Sequence, residues 1–150
     1  MTKTTEKKFQ LHANFFFEIT VENLKDLFCT MGQDSSYWCH DIVVGEIKQD
    51  SAGCYILEDN HEYEGNCVWV KDLTLDTKIK VEDIEEDTHE FKVSDVIRAI
   101  ENIVSGKTNL NTYDCGQVFE AFRDNNLGLI DASIADSILQ IATYNDLVYG

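Results

Sequence analysis

Apolar stripes with helical spacing occupy the last third of the chain and constrain its fold more than any other feature. From Val96 to Val104 apolar residues recur every three or four positions, which predicts a helix that Ser94 caps and Gly106 ends. A second stripe predicts a helix from Thr112 to Asp124. A third predicts a helix that Asp131 caps. The C-terminal part is therefore helical.

The preceding residues are typical of a small sheet. The stretch Phe9–Ile19 predicts a strand, and Thr20 predicts the N-cap of a helix that ends at Gly32. Further strands are predicted at Ile42–Ile47, Cys54–Leu57, Cys67–Val70 and Lys78–Asp83, with a polar connection at Asp59–Asn66. In the last strand charged residues alternate with Ile79, Val81 and Asp83, so one face is largely apolar.

These patterns predict one α+β domain over residues 1–150, in which a small mixed or antiparallel sheet is followed by about three C-terminal helices. Residues 1–8 are expected to fray. Hydrophobic residues make up 43% of the chain, enough for a folded core. The sequence offers neither a run of about 20 apolar residues nor the apolar stretch of a signal peptide. We therefore expect a cytoplasmic protein whose five cysteines are reduced.

The formal charge of −16 is concentrated between Glu58 and Glu90, a segment termed the acidic window, which holds twelve carboxylates and three lysines. Such a field repels phosphate and attracts basic surfaces, so we expect neither direct binding of nucleic acid nor a membrane partner. The predicted partner is a basic nucleic-acid-binding protein. The predicted contact residues are Asp59, Glu62, Glu64, Asp72, Glu82, Asp83, Glu85, Glu86, Asp87 and Glu90.

Two interpretations of the acidic window stand side by side. Runs of charge are commonly solvated faces that keep a protein soluble. Alternatively, carboxylates spaced along strands and a loop imitate the phosphate backbone and occupy a basic groove. Tyrosine or tryptophan side chains at the edge of that face would then serve as anchors.

Metal binding and catalysis find less support. Cys39, His40, Cys54, His61 and Cys67 are residue types that bind zinc. They lack the close Cys-x-x-Cys or His-x-(3–5)-His spacing that lets one loop present two ligands. No glycine-rich phosphate loop or nucleophile elbow occurs. We therefore expect no metal, no cofactor and no enzymatic activity, and keep a metal-dependent enzyme as the weakest alternative.

The segment 131–150 resembles the ending of small acidic proteins of phages and mobile elements. The resemblance rests on Ala135-Asp136, Ile138-Leu139-Gln140 and Val148-Tyr149-Gly150, with Tyr37-Trp38 as a second feature. By analogy it implies an inhibitor of a host defence protein, such as an anti-CRISPR protein that blocks the basic channel of a CRISPR effector. The alternative within this setting is an accessory phage protein that self-associates through its helical half.

Overall fold

The computed structural model describes residues 7–11 and 16–150. Its elements are α1 (Val21–Asp34), β1 (Cys39–Val44), β2 (His61–Glu64), β3 (Cys67–Val70), β4 (Lys78–Asp83), β5 (Thr88–Lys92), α2 (Val93–Val104), α3 (Thr112–Arg123), a 3-10 turn (Leu127–Leu129) and α4 (Ala132–Tyr144). The predicted α+β class, with three helices after the sheet, is confirmed. Within the described residues, no helix combines the length and the apolar character that crossing a membrane requires.

The five strands form one mixed sheet in the order β2-β3-β1-β4-β5. β1 and β3 are parallel, and the other neighbouring pairs are antiparallel. β1, β3 and β5 therefore begin at the same end of the sheet, where β2 and β4 finish. This end, termed the turn end, carries the β2–β3 turn and the β4–β5 turn.

Helices cover one face of the sheet, and the buried core lies between the two layers. The alternation of β4 is as predicted, since Ile79 and Val81 are buried and Lys78 and Lys80 are exposed. α1 packs on β2 and β3, where Phe28 contacts Trp69 at a ring-centroid distance of 6.4 Å. α4 packs against α1, α2 and β5. The other side of the sheet is termed the open face.

The start of α1 is as predicted and its end is not. Thr20 caps the helix, because its hydroxyl accepts from the Asn23 amide while the Asn23 side chain accepts from the Thr20 amide. The helix continues through Gly32 to Asp34. Gly32 is needed for packing instead: a Cβ on it would lie 2.0 Å from the carbonyl oxygen of Glu64.

Gly65 makes the reciprocal contact. A Cβ on Gly65 would lie 2.0 Å from the carbonyl oxygen of Gly32, and Gly65 has a φ of +55°. Only glycine combines that backbone conformation with so close an approach. The two glycines thus bring α1 against the β2–β3 turn, backbone to backbone.

Several predicted strands are corrected. In the stretch predicted at Phe9–Ile19, residues 9–11 and 16–19 form no strand, and residues 12–15 lie outside the described residues. The segment Cys54–Leu57 contributes one bridge, from Tyr55 to Gln49. The connection predicted at 59–66 contains β2 instead, and β5 was not predicted. The expected fraying of 1–8 falls mostly outside the described residues.

The helix boundaries follow local capping. α2 begins at Val93 and not after Ser94, because β5 runs directly into the helix and the Lys92 amide donates to the Asp95 carboxylate at 2.8 Å. Gly106 follows its end with a φ of +70°. α3 starts at Thr112 as predicted. The Asp131 carboxylate caps α4 by accepting from the Ile134 amide at 2.8 Å.

Candidate functional site

The turn end of the sheet gathers five of the ten acidic residues predicted to contact a partner. These are Glu64, Glu82, Glu85, Glu86 and Asp87, termed the turn-end acids, of which all but the half-buried Glu82 are exposed. β2 and β4 are three strand spacings apart, about 14 Å. Asp34 at the end of α1 and Asp41 in β1 add two carboxylates that the predicted set did not contain.

Asp83 is not part of this exposed surface, although it lies between Glu82 and Glu85. Its residue is 2% exposed. One oxygen accepts from the Glu85 and Asp87 amides at 2.9 and 3.0 Å. The other accepts from His89 Nε2 at 2.9 Å and from the Tyr144 hydroxyl at 3.0 Å. Asp83 therefore holds the β4–β5 turn together, and its burial prevents direct contact with a partner.

Hydrogen bonding to the ionised form stabilises it. The bond from His89 is the main cause that lowers the pKa of Asp83 to about 2, and the Asp87 and Glu85 amides and the Tyr144 hydroxyl act in the same direction. Burial and the bond to Asp83 raise the pKa of Tyr144. The carboxylate is thus ionised and the phenol neutral across the physiological pH range.

The other four predicted contact residues are dispersed. Asp59 and Asp72 are exposed at the end of the sheet opposite the turn end. Glu62 in β2 lies 3.8 Å from Lys71. Glu90 is the cross-strand partner of Lys80. The acidic window is therefore one segment in sequence but several separate places in the fold.

A cleft of about 470 Å³ lies on the open face, between the sheet and the segment that follows β1. Its polar lining residues are Asp41, Glu46, Lys48, Gln49, Tyr55, Lys80 and Glu82. Asp41 and Glu82 are direct cross-strand partners. Burial, followed by the neighbouring Asp41, raises the pKa of Tyr55 to about 12. Because lysines and carboxylates share the lining, this cleft is less acidic than the turn-end acids beside it.

A second buried carboxylate, Asp136 in α4, connects the helical layer to the start of β1. It is 4% exposed. The Trp38 indole Nε1 donates to Oδ1 at 2.5 Å, and the Tyr37 hydroxyl donates to Oδ2 at 2.6 Å. Burial and the bond to Asp136 raise the pKa of Tyr37. Gln140, one helical turn later, places Nε2 3.0 Å from Oδ2.

Aromatic rings join the two carboxylate centres. Tyr144, which donates to Asp83, has its ring 5.7 Å from that of Trp38, which donates to Asp136. His89 meets Tyr144 edge to face at 4.8 Å, and Tyr149 stacks on Trp38 at 5.5 Å with an interplanar angle of 13°. The rings therefore connect the β4–β5 turn, through Asp83, to the buried Asp136.

The residues considered for zinc do not share one environment: Cys39 and Cys67 are buried neighbours, whereas His40 and Cys54 are exposed. Burial raises the pKa of Cys39 to about 11 and that of Cys67 well above its ordinary value. Cys54 is exposed, and His61 Nδ1 accepts from the Glu58 amide at 3.1 Å. Over residues 7–11 and 16–150, no three His, Cys, Asp or Glu side chains are grouped so as to hold a metal ion.

The sequence did carry signals for both buried carboxylates. Asp83 continues the period-two series of Ile79 and Val81, which places it on the apolar face. Asp136 and Gln140 are four residues apart in a helix whose other central residues are almost all apolar. A polar pair at that spacing in a buried helix indicates a shared hydrogen-bond partner.

The residues on which the resemblance rests are close together in space. Tyr37 and Trp38 contact Asp136, and the Val148 and Tyr149 amides donate to Gln140. They come from three regions of the sequence and form a single hydrogen-bonded cluster around Asp136 and Gln140. Comparison with protein families, with curated proteins and with solved structures finds no match for this chain.

Proposed function

We propose that the chain is an acidic binding protein that docks its turn end on a basic nucleic-acid-binding protein and blocks it. The observation that carries the proposal is the convergence of the turn-end acids at one end of the sheet. The separation of about 14 Å between β2 and β4 is similar to the roughly 12 Å width of the B-DNA major groove. Carboxylates carried at the ends of both strands would compete with phosphates for a basic groove.

Two partly exposed side chains lie among these acids. Tyr37 is 49% and Ile84 46% exposed. Both are held in place, since the Tyr37 hydroxyl donates to Asp136 and the Ile84 amide donates to the Trp38 carbonyl at 2.8 Å. A tyrosine that is held in place within a polar rim is typical of a hot spot in a protein interface.

The resemblance to phage proteins adds the partner's role, the source and the location to this proposal. It makes the partner a host defence protein such as a CRISPR effector, the source a phage or mobile element, and the location the cytoplasm, where such effectors act. The acids of the turn end support only a partner that presents a basic groove.

The test compares two variants with the same change in net charge. In the turn variant Glu85, Glu86 and Asp87 become lysine, and in the control variant Glu58, Asp59 and Asp72 become lysine at the opposite end. Asp83 stays unchanged because its reversal would unfold the turn. Each protein, immobilised, captures proteins from a bacterial lysate, which are then eluted with salt or duplex DNA.

The expected result is that wild type and the control variant retain basic nucleic-acid-binding proteins that duplex DNA displaces, while the turn variant loses them. Retention should weaken steeply with salt, because many charge pairs contribute. Equal retention by the turn variant would contradict the docking site. Captured basic proteins without a role in defence would contradict only the finer assignment.

Self-association is a second candidate, and one apolar feature favours it. Phe9, Leu11 and Phe16 are 82–92% exposed. Phe16 and Leu11 line a groove of about 690 Å³ together with Ile97, Ile100, Val104 and Phe122 of α2 and α3. A second copy could bury these side chains in the same groove. Light scattering across a wide concentration range tests this, and a strict monomer would exclude it.

A further inference from the structure

The side chain of Gln140 makes three hydrogen bonds to the segment 146–150, which follows α4. Its Oε1 accepts from the Val148 amide at 2.9 Å and from the Tyr149 amide at 2.8 Å. Its Nε2 lies 3.0 Å from the Tyr149 carbonyl oxygen. Because the oxygen faces two N–H groups and the nitrogen faces carbonyl and carboxylate oxygens, the orientation of the amide is fixed. Gln140 therefore recognises the segment through its backbone.

The second contact is aromatic. The Tyr149 ring stacks on Trp38, and the Tyr144 ring is 6.0 Å from it. Trp38 is positioned by residues outside the segment, because Asp136 accepts from its indole N–H and the Tyr144 ring lies 5.7 Å from its own. Gln140 is likewise positioned by Asp136 and the Tyr37 hydroxyl, each at 3.0 Å from Nε2. The receiving surface is thus formed by residues outside the segment.

The segment itself has no hydrogen bonds of regular secondary structure. It contains no helix or strand, Val148 is 53% exposed, and Asp146 and Gly150 are exposed. A further bond runs from the Leu147 amide to Asn109 Oδ1 at 3.2 Å. The segment leaves α4 at Asn145, whose φ of 59° ends the helix. Leu147 and Tyr149 are half-buried against the core, so these two side chains and the bonds to Gln140 and Asn109 hold the segment. A short segment outside helices and strands opens more readily than the core helices.

We propose that Gln140, Trp38 and Asp136 form a peptide-binding site, which residues 146–150 occupy within the same chain. When the segment leaves, the site accepts a peptide in which an apolar residue precedes Tyr-Gly and in which two successive amides point to Gln140 Oε1. Hydrogen bonds from the peptide backbone to the Gln140 side chain supply affinity, and the stacking surface of Trp38 selects the aromatic residue. This proposal is independent of the turn-end docking surface and requires no acidic side chain at the surface.

The experiment uses the full chain with Tyr149→Ala, which removes the resident ring, and a fluorescent peptide Asp-Leu-Val-Tyr-Gly. Fluorescence anisotropy should show binding to this variant, and binding to wild type should be at least tenfold weaker because the resident segment competes at a high effective concentration. The control peptide Asp-Leu-Val-Ala-Gly should bind at least tenfold more weakly. Adding Gln140→Ala to the variant should abolish binding. Equal binding of both peptides, or no binding to the folded variant, would overturn the proposal.

A measurement on wild type keeps the proposal testable if Tyr149→Ala does not fold. Hydrogen exchange of the Val148 and Tyr149 amides should proceed through local opening, at least tenfold faster than exchange of the Ile138 and Leu139 amides in α4. If all four amides exchange at the rate of global unfolding, the segment is an inseparable part of the core. The peptide-binding site would then be excluded.

Discussion

Asp83 and Asp136 are both buried carboxylates that accept from aromatic side chains, yet they are assembled in different ways. Three of the four donors to Asp83 lie within six residues of it, namely Glu85, Asp87 and His89. The donors Tyr37 and Trp38 to Asp136 are 99 and 98 residues away. The Asp83 centre can form within one hairpin, whereas the Asp136 centre requires the sheet and helices to be docked.

The two centres also differ in what would replace the carboxylate. The Glu85 and Asp87 residues are exposed, so water can reach the turn amides that Asp83 satisfies. Trp38 is fully buried, and its indole N–H would lose its partner without access to solvent. Removing an acceptor costs most where the donor is left buried and unpaired. The Asp136 centre should therefore be the more sensitive of the two.

Asp136→Ala is expected to give the largest loss, about 4 kcal/mol of unfolding free energy, because it leaves a buried indole and a phenol without their acceptor. Urea unfolding at pH 7 measures the loss, and near-ultraviolet circular dichroism reports the packing of Trp38. Glu101→Ala, an exposed control in α2, should change stability by less than about 0.5 kcal/mol. A loss of under about 1 kcal/mol at Asp136 would refute the difference in sensitivity.

Asp83→Ala should cost less, about 2–3 kcal/mol, because solvent compensates the turn amides in part. The same urea titration measures it. The comparison between the centres fails if Asp83→Ala is the more destabilising of the two substitutions.

The pH dependence distinguishes Asp83 by its charge. Its pKa is lowered from 3.8 to about 2 in the folded protein. The contribution of ionised Asp83 to folding stability is therefore complete above about pH 4 and is lost as pH falls towards 2. Wild type should lose thermal stability over that range. The Tm of Asp83→Asn should be lower than that of wild type at neutral pH and should fall less steeply as the pH is lowered. Parallel Tm curves for the two proteins would show that ionised Asp83 contributes nothing.

Glu86→Gly should have the smallest effect, and in the stabilising direction by about 0.5 kcal/mol, because Glu86 has a φ of 65° that glycine adopts more readily. Glu85→Gly removes the same charge from a neighbour without a positive φ and should destabilise by about 0.5 kcal/mol. Thermal unfolding of both variants checks the opposite signs. The same direction in both would refute the role of backbone strain in this turn.

The sequence predicted those helices and strands whose own residues carry the signal, such as a capping side chain or an apolar or alternating pattern. Thr20 and Asp131 cap helices as expected, and β3 and β4 lie where apolar or alternating residues placed them. The edge strands β2 and β5 were missed because His61–Glu64 and Thr88–Lys92 are mostly charged or polar, like loops. Charged residues on edge strands prevent unwanted pairing, so they hide the strand from a pattern based on hydrophobicity.

The acidic character of the candidate site could be predicted from the sequence, but the positions of its carboxylates in the fold could not. The acidic window indicated where the carboxylates lie in sequence, and the exposed Glu85, Glu86 and Asp87 agree with a surface role. Strand direction then placed Asp59 and Asp72 at the opposite end of the sheet, and the pairing of β1 with β3 and β4 that sets this direction is long-range and not encoded by local patterns. The link from Trp38 to Asp136 spans 98 residues and was equally hidden.

The contact between Gly32 and Gly65 has a consequence for recognising distant relatives. Because each backbone occupies the space that the other residue's Cβ would need, neither position can change while the two segments stay in place. A chain with the same architecture should therefore keep both glycines even after most of its sequence has diverged. Together with Tyr37-Trp38 and the Asp136–Gln140 pair, they form a sparse fingerprint that physical necessity, and not overall similarity, would preserve.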